Sequence, residues 1–268
     1  MLRLTRIDEG ACYFDDTTNL YVAWSMLGYS SQLFWGCETI KKLDQVKSLS
    51  DRFFGQPNPA TFSELLELYQ SMENPVLDAV RIVTCFENYF KARLLSDSYV
   101  IHQMDLNVCR EHYPQFVTGK ARQRLLQKTT PISIGEVKRA EKHQDYSVQP
   151  LLTLTKRTIG MDTLLGQPSY RAVYSRDQAP DDRNLFSVIK KLNETRNTLH
   201  FLNVQYIASG GMPVDDFVFL RDYVSGHIDA LADSISNESE SKLKFGEEQV
   251  HSSLPASECW EDWIGEGS

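Results

Sequence analysis

The sequence predicts a mainly α-helical protein, a helical bundle with little or no β-sheet. Three observations carry that reading. Apolar residues recur at three- and four-residue steps through several segments of helical length. Those segments open on recognisable helix-start patterns. Strand signals, by contrast, are short and scattered.

The first segment, 17–46, carries Leu20, Ala23, Trp24, Leu27, Leu33, Phe34, Cys37, Ile40 and Leu43 on a wide apolar face. Asp15, Asp16 or Thr17 can cap its start, and it reads as one long helix or as two broken near 28–31. The turn-rich stretch 53–59 (FFGQPNP) ends it. Thr61-Phe62-Ser63-Glu64 reads as a capping box for a helix running to about Met72, since hydroxyl and carboxylate can satisfy each other's orphan amides. Asn74 then precedes Pro75, whose fixed φ and missing N–H suit a first helical position. The helix from Pro75 to about Leu95 buries Val76, Ala79, Val80, Val83, Phe86, Phe90 and Leu94, and it carries Glu87 and Lys91 one turn apart.

Between 98 and 150 the pattern weakens. Residues 99–102 (YVIH) read as a short strand or as continued helix, and 120–128 and 135–143 as charged helices on either side of Pro131. The segment 148–165 is apolar and partly β-branched; helix is favoured over strand. A polar loop is expected over 167–184, with Ala179-Pro180-Asp181-Asp182 able to start the next helix. That helix, Leu185 to Tyr206, has the clearest amphipathic pattern: Leu185, Ile189, Leu192, Leu199 and Leu202 form a stripe, flanked by Asn193, Arg196, Asn197, His200 and Asn203. Ser209-Gly210-Gly211-Met212-Pro213 stops it, and a further helix follows to Ile235. The expected organisation is an N-terminal helical extension (1–74), a helical domain (75–236) and an acidic, flexible tail (237–268).

Charge is segregated along the chain. From Asp229 onward ten acidic residues stand against Lys242 and Lys244, which accounts for the whole net charge of −8. The body before it balances, and within it 110–157 holds ten Lys/Arg against four Asp/Glu, so the overall sign does not exclude nucleic acid. No apolar run approaches the ~18 residues of a membrane span, and the first residues lack the apolar region of a signal peptide; a cytoplasmic protein without a membrane segment is expected. Five widely spaced cysteines form no CxxC pair, which argues for reduced thiols rather than a disulfide framework or a zinc site. The six histidines show no metal-ligand spacing with carboxylates, and no metal or cofactor is expected. P-loop, GxGxxG, GxSxG and HExxH signatures are absent.

Arg196 and His200 remain as the chemical candidates. Their spacing alone identifies nothing, because Arg139 and His143 repeat it in a plainly charged segment. Context distinguishes them: Asn193, Arg196, Asn197 and His200 make a polar edge beside a leucine stripe. Residues 193–201 (NETRNTLHF) resemble the signature helix of HEPN-domain proteins, and Phe86-Glu87-x-x-x-Lys91 resembles that family's first core helix. The resemblance spans about 75–235 and implies an all-α HEPN-like core. It departs from the family pattern in having three residues rather than four to six between Arg and His, which turns the imidazole about 100° per residue around the helix. The resemblance implies a metal-independent endoribonuclease, acting as a homodimer with motif helices facing each other, in a toxin, stress-response or defence setting. It implies Arg196, His200 and Asn197 as catalytic residues, with Asn193, Glu87 and Lys91 as auxiliaries and RNA as substrate. His102, His112 and His227 read as surface or core residues.

A second expectation comes from the tail. Trp260, Trp263 and Ile264 lie among acidic residues in 258–264, and aromatic side chains are favoured interface anchors. That composition suits a docking segment for a protein partner, and so a non-catalytic helical interaction module.

Overall fold

The computed structural model describes residues 16–71, 75–106, 123, 127–136, 152–174, 182–199 and 214–237, and helix predominates among them. In chain order the elements are α1 (Asp16–Trp35), α2 (Glu38–Lys41), α3 (Leu43–Gly55), α4 (Pro59–Gln70), α5 (Pro75–Ser96), β1 (His102–Leu106), β2 (Leu152–Thr158), α6 (Met161–Gly166), α7 (Pro168–Tyr174), α8 (Asp182–Leu199) and α9 (Val214–Tyr223), which runs on through a π-helical turn, Val224–Asp229. No helix among the described residues is long and apolar enough to cross a membrane.

The bundle is assembled on α5. Ile82, Val83, Cys85, Phe86, Tyr89, Phe90, Ala92, Leu94 and Leu95 are all buried, so apolar residues occupy more than the single stripe of a surface helix. α1 lies along α5 in the most extensive interface, and α8, α7, α6 and α2 also pack against it. Phe86 meets Phe34 of α1 edge to face at 6.5 Å, and Phe90 stacks on Tyr174 of α7 at 4.5 Å and on Phe186 of α8 at 5.9 Å. Such pairs each add about 0.5–1.5 kcal/mol beyond area burial. Helix α1, before the expected boundary at residue 74, and α5, after it, share one hydrophobic core.

Of the two readings of 17–46, a break near 28–31 is excluded, and a single unbroken helix fails as well, at another position. Ser30 stays inside α1, where its hydroxyl donates to the Met26 carbonyl at 2.7 Å. The break falls at Gly36, whose N–H donates to the Gln32 carbonyl at 3.0 Å. A Cβ there would stand 2.9 Å from that same oxygen, a contact only glycine avoids. Trp24, expected in the core, is 40% exposed. Helix α4 starts at Pro59 rather than at the Thr61 capping box. Asn58 caps it, its Oδ1 accepting from the Ala60 amide at 2.9 Å, and Pro59 takes the first helical position. Helix α2 is capped from a distance. Cys37 offers its N-cap no side-chain bond, and buried Asp78 of α5 accepts from both the amide and the hydroxyl of Thr39 at 2.8 Å. Burial, reinforced by Asp78, pushes the Cys37 thiol up to about 12, so this cysteine is protonated and inert at neutral pH.

Two further expectations are corrected. Residues 152–158 form a strand, not a helix: Leu152-Thr153-Leu154-Thr155 alternates with period two and pairs antiparallel with β1. Residues 168–174 form a helix inside the expected loop, because Pro168 opens it and Tyr170, Val173 and Tyr174 give it a buried face. Within α8, Leu185, Val188, Ile189 and Leu192 are buried as the stripe predicts. The side chain of Leu199, and Leu202, lie outside the described residues, as do most of 120–128 and of 135–143. In α9 and its continuation Leu220, Val224, Ile228 and Ile235 face inward.

The exit from α5 aims the hairpin. The Tyr99 amide donates to the Leu94 carbonyl at 2.8 Å and the Ser98 amide to Leu95 at 3.0 Å, the bond pair of a Schellman stop. Ser98 occupies its left-handed position at φ 58°, where a side chain is costly and glycine is not. Ser98→Gly is therefore expected to stabilise the fold by about 0.5–1 kcal/mol, read as a raised urea midpoint at unchanged m-value; a lowered midpoint contradicts this account.

Candidate functional site

Burying α5 on so many sides creates a difficulty at Lys91, which is 6% exposed. An ammonium taken out of water must be paired and hydrogen-bonded. Its Nζ donates to Glu87 Oε1 at 2.6 Å, one turn back on the same helix, and to Thr158 Oγ1 at 2.8 Å, at the end of β2. The other oxygen of Glu87, Oε2, stands 3.8 Å from Arg196 Nη1 on α8. One carboxylate thus bridges two cations on two packed helices.

The three groups grade from inside to outside. Side-chain exposure is 8% for Lys91, 21% for Glu87 and 24% for Arg196. The formal charge of the triad is +1, and the cation nearest solvent is the guanidinium, whose planar fork suits two oxygens of a phosphate. The arrangement can fix an arginine at the rim of the bundle and present it to an anion.

The β-hairpin closes the buried end. β2 carries a bulge relative to β1 between His102 and Met104. Thr155 Oγ1 accepts the Arg157 amide there at 3.2 Å, and Gln103 Nε2 donates to the Thr158 carbonyl at 3.1 Å. A bulge bends its strand and re-aims the side chains beyond it; here the residue beyond is Thr158. Opposite Thr158 stands His102, half-buried, its pKa lowered from the usual histidine value by burial and then by the Lys91 charge. From sequence, His102 read only as a surface or core residue, and Thr158 carried no functional reading. The alternation 152–155 was the signal that could have found Thr158.

The sequence-derived candidates therefore separate. Arg196, Glu87 and Lys91 come together in one contact chain. Asn193, on the same helix as Arg196, turns to α6 instead: its Nδ2 donates to Asp162 Oδ1 at 2.9 Å, and its buried Oδ1 has no partner among the described residues. The side chain of Asn197, and His200, Trp260, Trp263 and Ile264 in full, lie outside the described residues. A surface groove between α3 and α4 shares no residue with the cluster and is lined by Asp44, Glu64 and Glu67, a poor surface for an anion. No group of three or more metal-ligating side chains occurs among the described residues. No protein-family model, curated protein or solved structure matches this chain.

Exposed ion pairs contribute about 0–1 kcal/mol, and breaking a buried one costs about 3–5 kcal/mol. Between those limits, Lys91→Met is expected to destabilise the fold by about 2 kcal/mol. The Glu87→Gln/Lys91→Met double variant should lose less than the two single variants added together. Urea unfolding of the four proteins measures this; strict additivity would show that the pair does not act as a unit.

Proposed function

We propose that the chain is a HEPN-like, metal-independent endoribonuclease, with Arg196 as its phosphate-binding residue. The single observation that supports this reading is the Lys91–Glu87–Arg196 chain. Two charged residues on one core helix brace an arginine on the facing helix, in the segment whose sequence resembles the family motif. The ribose 2′-hydroxyl attacks the adjacent phosphorus. Arg196 neutralises charge developing on the phosphate oxygens, and His200 shuttles the proton from the attacking 2′-hydroxyl to the departing 5′-oxygen as its bond to phosphorus breaks. The product ends in a 2′,3′-cyclic phosphate. Glu87 orients the guanidinium, and Lys91 holds Glu87 in place. Asn197 orients substrate or the facing motif, Asn193 anchors the motif helix to α6, and two copies join with their motif helices opposed. A stress-response or defence role in the cytoplasm, as a toxin, fits such an activity.

Purified wild type is expected to cleave RNA in EDTA. His200→Ala should lose that cleavage, and Arg196→Ala should fall by roughly 10²–10³ in kcat. A wild type that cuts nothing, or a His200→Ala protein that cuts equally well, overturns the reading.

A second reading, a helical module that docks protein partners, is favoured by a different observation. The outer face of α1 exposes Tyr21, Val22, Trp24 and Tyr29 at 40–65%, and aromatic residues of this kind anchor interfaces. In this reading 258–264, with Trp260, Trp263 and Ile264, is the second docking element. Removing 237–268 separates the cases: loss of a co-purifying partner supports docking, whereas RNA cleavage that rises on removal assigns the tail to the ribonuclease.

A further inference from the structure

Helix α1 places on its outer side residues that a single copy of the chain does not use. Tyr21, Trp24, Gly28, Gln32 and Trp35 are all exposed. At the helical step of about 100° per residue they fall within an arc of roughly 80°, clear of the stripe of Ala23, Leu27, Ser30 and Phe34 that is buried in the core. Gly28 stands at the middle of this row. Glycine is the weakest helix former after proline, and nothing within the copy calls for it there. A Cβ at Gly28 would meet no atom within 4 Å, whereas at Gly36 it would stand 2.9 Å from the Gln32 carbonyl oxygen. The row is also symmetric about Gly28, with Trp24 and Gln32 four residues to either side and Tyr21 and Trp35 seven.

We infer that α1 pairs with α1 of a second copy of this chain, antiparallel about a twofold axis that passes at Gly28. Such an axis sets each residue against the one equally far beyond Gly28 in the other copy. Tyr21 then meets Trp35, and Trp24, an indole donor, meets the Gln32 amide. Where the helices cross, Gly28 meets Gly28, and the missing Cβ atoms let the axes approach to the short end of the usual ~8–10 Å. A twofold contact also brings residues near the axis close to their own copies, so a charge there would face a like charge. The row holds none, and the single charged residue of α1 is Asp16 at its first position. The area suffices. Tyr21, Trp24, Tyr29 and Trp35 are 38–65% exposed; at ~150–250 Å² per aromatic side chain they offer on the order of 400 Å² per copy. With Val22, Gly28 and Gln32 added, the pair buries about 1,000 Å², the lower bound of a specific interface. The inference goes beyond both readings above and depends on neither. Helix α1 carries no member of the Lys91–Glu87–Arg196 chain, so a protein that cuts no RNA leaves it standing.

Sedimentation equilibrium of the full chain tests this. Wild type is expected to pass from monomer to dimer with a Kd on the order of micromolar, the weak end for an interface of this size. Trp24→Glu should weaken pairing at least about 100-fold, because symmetry applies the change twice. Gly28→Leu should weaken it at least about tenfold while the urea midpoint, read below the Kd, rises, since leucine is the better helix former in open space. A variant that merely damages the fold cannot give that combination. The register has its own readout: Trp24→Glu/Gln32→Lys should recover about tenfold or more of the pairing that Trp24→Glu loses. Positions 24 and 32 lie about 12 Å apart along one helix and face each other only between antiparallel copies. A wild type still monomeric at about a hundred times the expected Kd overturns the proposal, and the face then belongs to another occupant. Pairing unchanged in Trp24→Glu or in Gly28→Leu also overturns it, and assigns association to another surface such as the opposed motif helices. A double variant no better than Trp24→Glu overturns the antiparallel crossing at Gly28.

Discussion

A lysine inside a helix that is covered on most sides must be answered locally, and much of the architecture near α5 can be understood as that answer. The ammonium of Lys91 needs an acceptor that is charged and one that is not. Glu87 supplies the first from the preceding turn; Thr158 supplies the second, but only if β2 ends where it does. Glu87, having satisfied Lys91 with one oxygen, has a second to offer across the helix interface, and Arg196 meets it. The apolar packing of Phe86 and Phe90 on α1, α7 and α8 sets how closely these helices approach. The polar chain then selects their register. Hydrophobic contact alone tolerates sliding; a bridging carboxylate does not.

The same economy governs how the chain leaves α5. A left-handed residue at Ser98 reverses direction within one turn, and the Val100 amide then donates to the Ile132 carbonyl at 2.9 Å. Strand β1 is thereby set down with His102 at the level of Lys91. The bulge in β2 serves the opposite strand, adding backbone so that Thr158 arrives facing the helix. Two local irregularities, each unfavourable alone, bring the hairpin and the core helix into one polar site. Irregularities of this kind persist where the surrounding structure over-determines them.

How much of this was legible depended on whether the deciding partner was near in sequence. Helices α5 and α8 were readable from their own periodicity, because Phe86, Phe90, Leu185 and Ile189 lie at helical steps. The stop at Gly36 was not read; the one break weighed, beside an unbroken helix, lay near Gly28. Both glycines look alike in sequence, and only the approach of the Gln32 carbonyl makes one of them necessary. Asn58-Pro59 and Thr61-x-x-Glu64 offered competing starts for one helix, and the proline decided between them. Strand β2 was misread because a short apolar run satisfies either period, and its partner lies about fifty residues upstream in β1. For the candidate site, Arg196, Glu87 and Lys91 could be named from pattern and resemblance. His102 and Thr158 could not, since their place beside Lys91 is created by strand pairing.

The exposed aromatic face of α1 bears on how this molecule behaves as a colloid. Helix α1 contains a single charged residue, Asp16 at its first position, and Tyr21, Trp24 and Tyr29 stand open to solvent along it. Ahead of Asp229 the chain carries equal numbers of basic and acidic residues; the entire −8 sits after that point. The net charge behind mutual repulsion between copies therefore sits at one end of the chain, while this exposed aromatic face lies toward the other. Near zero net charge, proteins lose the repulsion that keeps such surfaces apart. The net charge that keeps copies of the molecule apart is therefore supplied by the residues from Asp229 onward.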